Sequence, residues 1–540
     1  MTTQKPVRGS GPAPDHILLS INGDPAHTMA ITWRTWEETE AGYVLYRAKG
    51  DDAWLRAEAE TRPFISDIDR SRMWWAHPAE LTPETDYEYT CGDDAHRAGP
   101  FSFRTAPEHA TKCKFILVSD QQQGEPHEKP DYTVFHDFLT GLLAQHPDTA
   151  FILTGGDNTD CGQHEVQWNG LFSGLAGIAE SVPFMMTVGN HDNRGFRNYD
   201  THEGGYYAEP CEFFNGQFRG AYPFNGPQGW ETENYTFDYG NVHVAVLGVN
   251  EPVLVNDWLR KDLERCSSTW KLGTYHFPIC YAGSDCQNYD AYPMMRPSME
   301  KLDVLFGGHE HGFARSFPMR DESLYDRPSE GTVFYTLGNS GENPPGTYAL
   351  PKVWHCAFYP HEEKKSMACV AEVDGDRLTL TSVLSDGRIV DRCVIDKGRD
   401  AITPTALPPI YGPSRTRMLF KGADPGLCAA GKACFCQNGV WYAPLGVLVG
   451  YIGGSVEKFP GGMTLEVYGK SATFREGRTT AQTSDGDLFL PGPVKRGAQG
   501  QLFVPCDGCH AFGMRWAYAA RNNFISFEHM SEAKPVTPQP

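Results

Sequence analysis

The sequence has no apolar run of the roughly 18 residues that a membrane-spanning helix needs, which excludes an integral membrane protein. Positive charge is also scarce: the sequence has 47 lysines and arginines but 68 aspartates and glutamates, so the formal net charge is −21. A surface this acidic repels phosphate backbones and argues against nucleic acid as a partner. If such a protein handles small phosphate esters it needs local positive charge, for which bound metal is the usual source.

Regular cysteine spacing and several common sequence signals are missing as well. The 15 cysteines are scattered and odd in number, so at least one has no partner within the chain. The sequence contains no glycine-rich nucleotide loop and no serine or cysteine nucleophile motif in a convincing setting. The polar first 15 residues carry no secretory signal, which indicates a cytoplasmic protein unless a leader has been removed.

Length and aromatic content predict several folded domains. The 540 residues correspond to three or four domains of about 100–200 residues each. The 30 Phe, 24 Tyr and 12 Trp residues are enough to build real cores. Short alternating strands, separated by turn residues, predict a β-sandwich over residues 13–107 after a flexible tail over residues 1–12.

A different pattern begins near residue 112. Two β-rich apolar runs, 115–118 and 151–154, flank a stretch with helical spacing over residues 132–146. Alternation of strand, helix and strand predicts an α/β domain, which we place at residues 112–398. In such a layer the chemistry lies at the ends of the strands.

The last part of the chain contains an internal repeat. Prolines mark a linker over residues 399–413, and Pro444 and Pro505 then each follow a strand and open a helix. A glycine and another strand end each unit, so we predict a small α+β repeat domain over residues 414–530 and a tail over 531–540. The repeat resembles the copper amine oxidase N-terminal-like domain, a name that does not imply copper.

Five short segments, each directly after an apolar strand, carry side chains that bind metals. A lone histidine is more often a core or surface residue, and a lone aspartate after a strand usually forms a turn. Five such segments with glycines that allow close backbone approach are hard to attribute to chance. Carboxylates, imidazoles and an amide together suit Zn, Fe or Mn. The segments are S-D-Q-Q at 119–122, G-G-D-N-T-D at 155–160, G-N-H-D at 189–192, Y-H-F-P at 275–278 and G-G-H-E-H at 307–311.

The order D-x-Q, G-D-x-x-D, G-N-H-D, H-x-P, G-H-x-H resembles the calcineurin-like metallophosphoesterase family over roughly residues 112–397. A fibronectin III-like sandwich in front and the segment 234–243 resemble purple acid phosphatases. The resemblance implies two sheets flanked by helices. It also implies a hydrolase that cleaves phosphate monoesters by attack of a metal-bound hydroxide. The alternatives are a phosphodiesterase on nucleotides or lipid headgroups and a non-catalytic scaffold protein with a decayed site.

The resemblance further implies two metal ions, of Fe, Mn or Zn, bridged by the carboxylate of Asp157. A small phosphate ester is the implied substrate, and the oligomeric state is left open. The first ion takes Asp120, Asp157, His311 and, through a weaker amide oxygen, Gln122. The second ion takes Asp157, Asn190, His276 and His309.

The same resemblance implies roles for residues around the ions. His191 acts as general acid or as a positive partner for the phosphoryl group, and Asn190 also faces the substrate. Asp192 orients the ring of His191, with a turn carboxylate as the alternative. Arg315 is a candidate contact for a phosphate oxygen, with a surface ion pair as the alternative reading.

Two positions depart from the family patterns. Gln122 stands where the family usually has histidine, and its amide oxygen coordinates a metal more weakly than imidazole does. Asp160 stands where purple acid phosphatases have tyrosine, so we expect no iron charge-transfer colour.

Two further features leave alternatives open. A loop over residues 206–229 is a candidate cover for the site. Cys280 and Cys286 form either a disulfide at its rim or two thiols. In the tail, a zinc site competes with structural thiols or disulfides, which we favour. The residues concerned are Cys428, Cys434, Cys436, Cys506, Cys509 and His510.

Overall fold

The computed structural model of the 540-residue chain groups it into two compact units. The first unit comprises residues 1–315, 332–349 and 359–403, and the second comprises 316–331, 350–358 and 404–540. None of the described helices is both long and apolar enough to cross a membrane. The structure describes residues 9–125, 128–194, 210–280, 291–321, 323–342, 354–359, 363–404, 416–420, 434–497, 500–519 and 524–530.

Eight strands at the start of the first unit form the β-sandwich that the sequence predicts. One sheet has the order β1-β2-β6-β5 and the other β4-β3-β7-β8. Large aromatic side chains such as Trp33, Trp74 and Tyr89 fill the space between the sheets. The strands are β1 (Asp15–Ser20), β2 (Ala30–Trp36), β3 (Tyr43–Ala48), β4 (Leu55–Glu58), β5 (Glu60–Ile65), β6 (Arg70–Ala76), β7 (Asp86–Gly92) and β8 (Arg97–Arg104).

The rest of the first unit contains the predicted α/β domain. The predicted strands at 115–118 and 151–154 and the helix between them are confirmed as parts of β9, β10 and α1. In chain order, residues 112–402 hold β9 (Lys112–Val118), α1 (Thr133–Gln145), β10 (Phe151–Thr154), α2 (Glu165–Gly174), β11 (Phe184–Met185), α3 (Glu212–Phe218), β12 (Tyr235–Tyr239), β13 (Val242–Leu247), α4 (Pro252–Arg265), β14 (Trp270–Tyr275), α5 (Ala291–Met299), β15 (Val304–Gly307), β16 (Phe313–Ser316), β17 (Met319–Arg320), β18 (Ser323–Leu324), a 3₁₀ helix (Pro328–Glu330), β19 (Val333–Leu337), β20 (His355–Tyr359), β21 (Met367–Asp374), β22 (Arg377–Leu384), β23 (Ile389–Asp396) and β24 (Ala401–Ile402). Of these elements, β17, β18, the 3₁₀ helix and most of β20 belong to the second unit.

Two mixed sheets form the centre of this domain. One has the order β11-β10-β9-β21-β22-β23-β24, and the other contains β12-β13-β14-β15-β19-β16. Strand β10 pairs in parallel with β9, and Phe151 lies opposite Phe115. All four residues of β10 are buried, as expected for an apolar strand in a parallel layer. The carboxyl ends of β9, β10, β14 and β15 lead into the segments that carry the predicted metal ligands.

The second unit confirms the strand, proline, helix, strand pattern of the repeat. Pro444 precedes α6, and Pro505 precedes a helix that is 3₁₀ rather than α. Leu448, Phe474 and Phe512 belong to its buried core. Its later elements are β25 (Arg417–Phe420), β26 (Phe435–Gln437), β27 (Val440–Ala443), α6 (Leu445–Tyr451), β28 (Ser455–Phe459), β29 (Gly462–Val467), β30 (Lys470–Arg475), β31 (Thr480–Thr483), β32 (Gly486–Phe489), β33 (Lys495–Arg496), β34 (Leu502–Pro505), a 3₁₀ helix (Cys506–Phe512), β35 (Met514–Ala519) and β36 (Phe524–His529).

The second unit also takes strands from within the chain of the α/β domain, which the predicted linear boundaries do not include. Its largest sheet has the order β17-β18-β26-β27-β34-β33. Strand β18 pairs in parallel with β26, and Ser323 lies opposite Cys436. Most of the predicted linker at 399–413 lies outside the described residues.

Candidate metal centre

Several predicted ligands occupy unusual backbone at the ends of the central strands. Asp120, Asp157, His309 and His311 have φ of 52°, 53°, 72° and 54°, in the left-handed region that residues other than glycine rarely adopt. The chain is also closely packed there, because a Cβ on Gly189 would lie 2.1 Å from Oδ1 of Asp157. Such backbone is costly and is kept where the surrounding structure enforces a functional geometry.

Four predicted ligands of the second ion converge. The ligand atoms of Asp157, His276 and His309 lie within 4.8 Å of one another. Oδ1 of Asn190 lies 2.9 Å from Nε2 of His276 and 3.0 Å from Nδ1 of His309. On its other side, Nδ1 of His276 lies 2.9 Å from the carbonyl oxygen of Gly155, which turns Nε2 toward the centre. One carboxylate, one amide oxygen and two imidazoles fit a transition-metal ion.

The ligands expected for the first ion also lie close together, and more of their ligand atoms are oxygens than in the set for the second ion. Nε2 of His311 lies 3.8 Å from Oδ1 of Asp120. The amide nitrogen of Gln122 lies 3.3 Å from Oδ2 of Asp157 and 3.5 Å from Nε2 of His311. A half-turn of this amide would present its oxygen at the same place. These contacts place the residues expected for the first ion beside the group of Asp157, His276 and His309.

Burial and neighbouring charges strongly shift the pKa values of these ligands. Burial alone would raise the pKa of Asp157, but the imidazoles of His276 and His191 hold that pKa below its usual range. Burial alone would lower the pKa of His276, but the carboxylate of Asp157 raises it to about 9. Burial and then the charge of His276 lower the pKa of His309 to about 3. A cation that binds here takes the place of the proton on His276.

His191 is held in one orientation beside this centre. Its backbone N–H donates to Oδ1 of Asp157 over 2.8 Å. Its Nδ1 lies 3.0 Å from both the carbonyl oxygen and Oδ1 of Asp160. Nη1 of Arg194 lies 2.8 Å from the same nitrogen and can only donate a hydrogen bond. An unprotonated Nδ1 therefore accepts from Arg194, whereas a protonated Nδ1 donates to Asp160. In both cases Nε2 is directed toward Asp157, 3.9 Å from Oδ2. Arg194 lies beside the pair, 3.6 Å from Oδ1 of Asp160.

Comparisons with known proteins agree with this geometry. Residues 14–105 match the family described as the purple acid phosphatase N-terminal domain, and residues 113–313 match the family described as calcineurin-like phosphoesterase. Because of this match the α/β domain is called the phosphoesterase domain below. The predicted family resemblance and the fold class are confirmed.

Individual relatives are distant. Purple acid phosphatase 15 of Arabidopsis thaliana is 26% identical over 306 residues, which cover 48% of this chain and 52% of the relative. Purple acid phosphatase 21 of the same plant is 26% identical over 345 residues, covering 61% and 71%. Probable inactive purple acid phosphatase 24, also from this plant, is 24% identical over 405 residues, covering 63% and 62%. The chain thus spans about half the length of the first of these relatives.

A solved structure shares the fold. The purple acid phosphatase PPD1 from yellow lupin (Lupinus luteus) seeds superposes with a TM-score of 0.58 at 16% sequence identity. The superposition covers 72% of this chain and 75% of the lupin chain.

The contact between Asp160 and the ring of His191 was not anticipated from the sequence. The sequence showed Asp160 only as the residue that replaces a tyrosine. The signal was present in the G-D-x-x-D spacing, which places a second carboxylate three residues after Asp157. In the structure that carboxylate contacts the ring of His191.

The predicted role of Asp192 in orienting His191 is wrong. The Asp192 carboxylate is buried and accepts backbone N–H groups of Asn158, Thr159 and Gly189 over 2.9–3.2 Å. It therefore ties the loop after β10 to the loop of Gly189, and its oxygen atoms do not contact the imidazole. Burial and then the charge of Asp157 raise the pKa of Asp192 to about 6.

The prediction that Arg315 contacts a phosphate is wrong, and the alternative ion pair is present but is buried rather than at the surface, because the side chain of Arg315 is 0% exposed. The guanidinium donates to the two oxygens of Asp391 over 2.8 and 3.2 Å, and the hydroxyl of Tyr335 donates to the same carboxylate. Arg315 lies on β16, all of whose residues are buried. The residue forms an internal ion pair and is not available to a phosphate.

The described part of the predicted covering loop packs against the sandwich. The ring of Phe213 lies 5.5 Å from that of Phe64, and Gly220 lies against Trp75. Residues 206–209 lie outside the described part of the chain, and so do Cys286 and Cys428. The other tail cysteines are buried. Within the described ranges, only Asp157, His276 and His309 form a group that could hold a metal, so the zinc alternative in the tail gains no support.

Proposed function

We propose that this chain is a dinuclear-metal phosphoesterase that hydrolyses small phosphate monoesters. The convergence of Asp157, Asn190, His276 and His309 at the strand ends carries the proposal. The family match of residues 113–313 and relatives that are named purple acid phosphatases support it.

Two ions of Fe, Mn or Zn would be held by the ligands around Asp157 and would supply Lewis acidity that neutralises the phosphate and acidifies a water. The protein's own proton chemistry lies with His191. Its Nδ1 lies 3.0 Å from Asp160, so Nε2 is the nitrogen that faces the centre. His191 donates a proton from Nε2 to the leaving oxygen, and the carboxylate of Asp160 stabilises the imidazolium before that transfer.

The pKa of His191 agrees with this role. Burial alone would lower it, but the charge of Asp157 and the hydrogen bond to Asp160 raise it above its ordinary value. This shift favours the protonated imidazole, which provides positive charge beside a phosphate.

The test is hydrolysis of nitrophenyl phosphate beside bis-nitrophenyl phosphate. The protein is stripped of metal and reloaded with Mn, Zn, Fe or Mg. We expect turnover of the monoester that returns with metal and is abolished in Asp157→Asn, because the bridging carboxylate is lost. Asp51→Asn, a matched change at an exposed aspartate of the sandwich, should behave as wild type.

Each other outcome contradicts the proposal in a recognisable way. Preference for the diester would favour a phosphodiesterase. Stoichiometric metal binding without turnover of either ester would favour a non-catalytic scaffold protein. Turnover that survives in Asp157→Asn would place the reaction outside this centre.

A further inference from the structure

A buried ion pair joins the sandwich to helix α2 of the phosphoesterase domain. Arg34 on β2 is 1% exposed, and it donates to Oε1 of Glu165 over 2.6 Å and to Oδ1 of Asn169 over 2.8 Å. It also donates to both oxygens of Asp15 over 2.7 and 2.8 Å. Glu165 is the first residue of α2, and its side chain is 0% exposed. Buried charges are stable only when they are paired this fully, so the contact fixes the position of α2 against the sandwich.

Asp67, between β5 and β6 of the sandwich, reaches further into the phosphoesterase domain. Its Oδ1 accepts the backbone N–H of Glu165 over 2.9 Å, at the N-terminus of α2. Its Oδ2 lies 2.9 Å from Nδ1 of His164, the residue that precedes the helix. A carboxylate at a helix N-terminus satisfies an N–H that has no partner within the helix and complements the helix dipole. A sandwich residue thus caps a helix of the other domain.

The segment 160–164, which leads into that cap, also holds the turn of His191. The N–H of Gly162 donates to the carbonyl oxygen of His191 over 3.0 Å, and that of Gln163 donates to the carbonyl oxygen of Arg194 over 2.9 Å. At the start of the segment, Asp160 contacts the ring of His191. One end of the segment is therefore fixed by the sandwich and the other end positions the imidazole.

We propose that Asp67 is a positioning residue for the phosphoesterase reaction. It acts by fixing the N-terminus of α2 and the segment 160–164, and through Asp160 it fixes the ring of His191. The inference rests on the proposed function. It makes the sandwich part of the support of the active site.

The first test compares Asp67→Ala with wild type in the full chain loaded with metal, using nitrophenyl phosphate. We expect kcat to fall about 10-fold while KM changes less than twofold, because proton transfer suffers and the metal ligands do not move. Asp67→Asn should recover most of kcat, since its Oδ1 still accepts the N–H of Glu165. Glu88→Ala is the matched control, because Glu88 pairs with Arg47 within the sandwich. An unchanged kcat in Asp67→Ala would overturn the proposal.

A double-mutant cycle separates positioning from general destabilisation. If Asp67 acts through Asp160, then Asp67→Ala should change kcat less than twofold in an Asp160→Asn background. If the fall in kcat of the double variant equals the product of the falls in the two single variants, the residues act independently and the inference is overturned.

Hydrogen–deuterium exchange provides a readout that does not depend on turnover. Backbone amides in residues 158–168 and 188–194 should exchange faster in Asp67→Ala than in wild type, and Glu88→Ala should not change them. If wild type hydrolyses neither ester, the proposed function fails, but faster exchange would still demonstrate the coupling between the sandwich and the His191 turn. Equal exchange in all variants would overturn the coupling itself. If Asp67→Ala does not fold, Asp67→Ser carries the comparison, because its shorter side chain loses the contacts to Glu165 and His164 but keeps a polar group there, and the same fall in kcat is expected.

Discussion

Asp120 and Asp157 lie in the candidate metal centre with strained backbone conformations. Each follows a buried strand with positive φ, and hydrogen bonds hold both in place. The N–H of Asp120 donates to the carbonyl oxygen of Gly156 over 3.1 Å, and Oδ1 of Asp120 accepts the N–H of His309 over 2.7 Å. Left-handed backbone costs about 1–3 kcal/mol per residue, so these contacts over-determine positions that the chain would otherwise avoid.

Asp160→Asn tests the residue that holds His191. We expect kcat to fall about 10–100-fold, because the amide cannot stabilise a charged imidazole as a carboxylate does. KM and the number of bound metal ions should hardly change, since Asp160 does not face the ligand group. Steady-state kinetics and elemental analysis measure both. Asp137→Asn, at an exposed position on α1, is the control, and loss of metal in Asp160→Asn would contradict the assignment.

At the residue scale, the sequence correctly predicted which metal ligands lie close together. It did not predict the contacts of Asp192 and Arg315. The ligands could be found because each follows an apolar strand whose end lies at a known edge of the sheet. Asp192 and Arg315 were misjudged because side-chain direction decides their partners. The turn at His191 sends Asp192 toward backbone N–H groups, and β16 sends Arg315 into the interior.

At the scale of elements, the loop between β10 and α2 can pack closely against its neighbour because residue 162 is a glycine. A Cβ on Gly162 would lie 1.9 Å from the carbonyl oxygen of Asp192, which is backbone and cannot move aside cheaply. The close approach brings the segment 160–164 against the His191 turn.

Gly162→Ala should therefore lower both the unfolding midpoint and kcat. We expect a loss of stability of about 1–3 kcal/mol, typical of overpacking at a buried position. Gly141→Ala is a sharp control, because Gly141 lies within α1 with no neighbour within 4 Å of the added Cβ. That change should stabilise the helix by roughly 0.5–1 kcal/mol. Thermal unfolding of the two variants, followed by circular dichroism, should show shifts of opposite sign.

Sequence patterns predicted helices and strands best where the contacts that form them are local. Periodicity found β9, α1 and β10, and the prolines located α6 and the 3₁₀ helix after Pro505. The type of the second helix was missed, because a proline at its start is compatible with either helical form. The pairing of β18 with β26 was also missed, since more than a hundred residues separate the partners and short strands carry little pattern.

At the scale of the whole molecule, a buried histidine paired with two carboxylates makes stability depend on pH. His243 on β13 lies 2.7 Å from Oδ1 of Asp238 on β12 and 2.8 Å from Oδ2 of Asp262 on α4. Burial alone would lower the pKa of His243, but the two carboxylates raise it to about 10. The folded state therefore binds this proton more tightly than the unfolded state, whose histidine titrates near about 6.5.

His243→Gln should accordingly cost most stability at low pH. The contribution of the protonated ring is complete below about pH 6.5 and is lost as the pH rises toward 10. We expect the gap in urea midpoint between wild type and variant to be widest near pH 6 and to shrink by pH 10. His109→Gln, at an exposed histidine, should show no such trend. A gap that stays constant with pH would contradict the ion pair.

The path of the chain between the two units limits how the molecule can be divided. Strand β18 comes before the last strands of the phosphoesterase domain, yet its partner β26 comes after them. A protein cut after Ile402 would keep β17 and β18 but lose that partner, and the exposed strand edge would invite aggregation. The C-terminal repeats therefore share a sheet with a hairpin that lies earlier in the chain, and no single cut separates the two units.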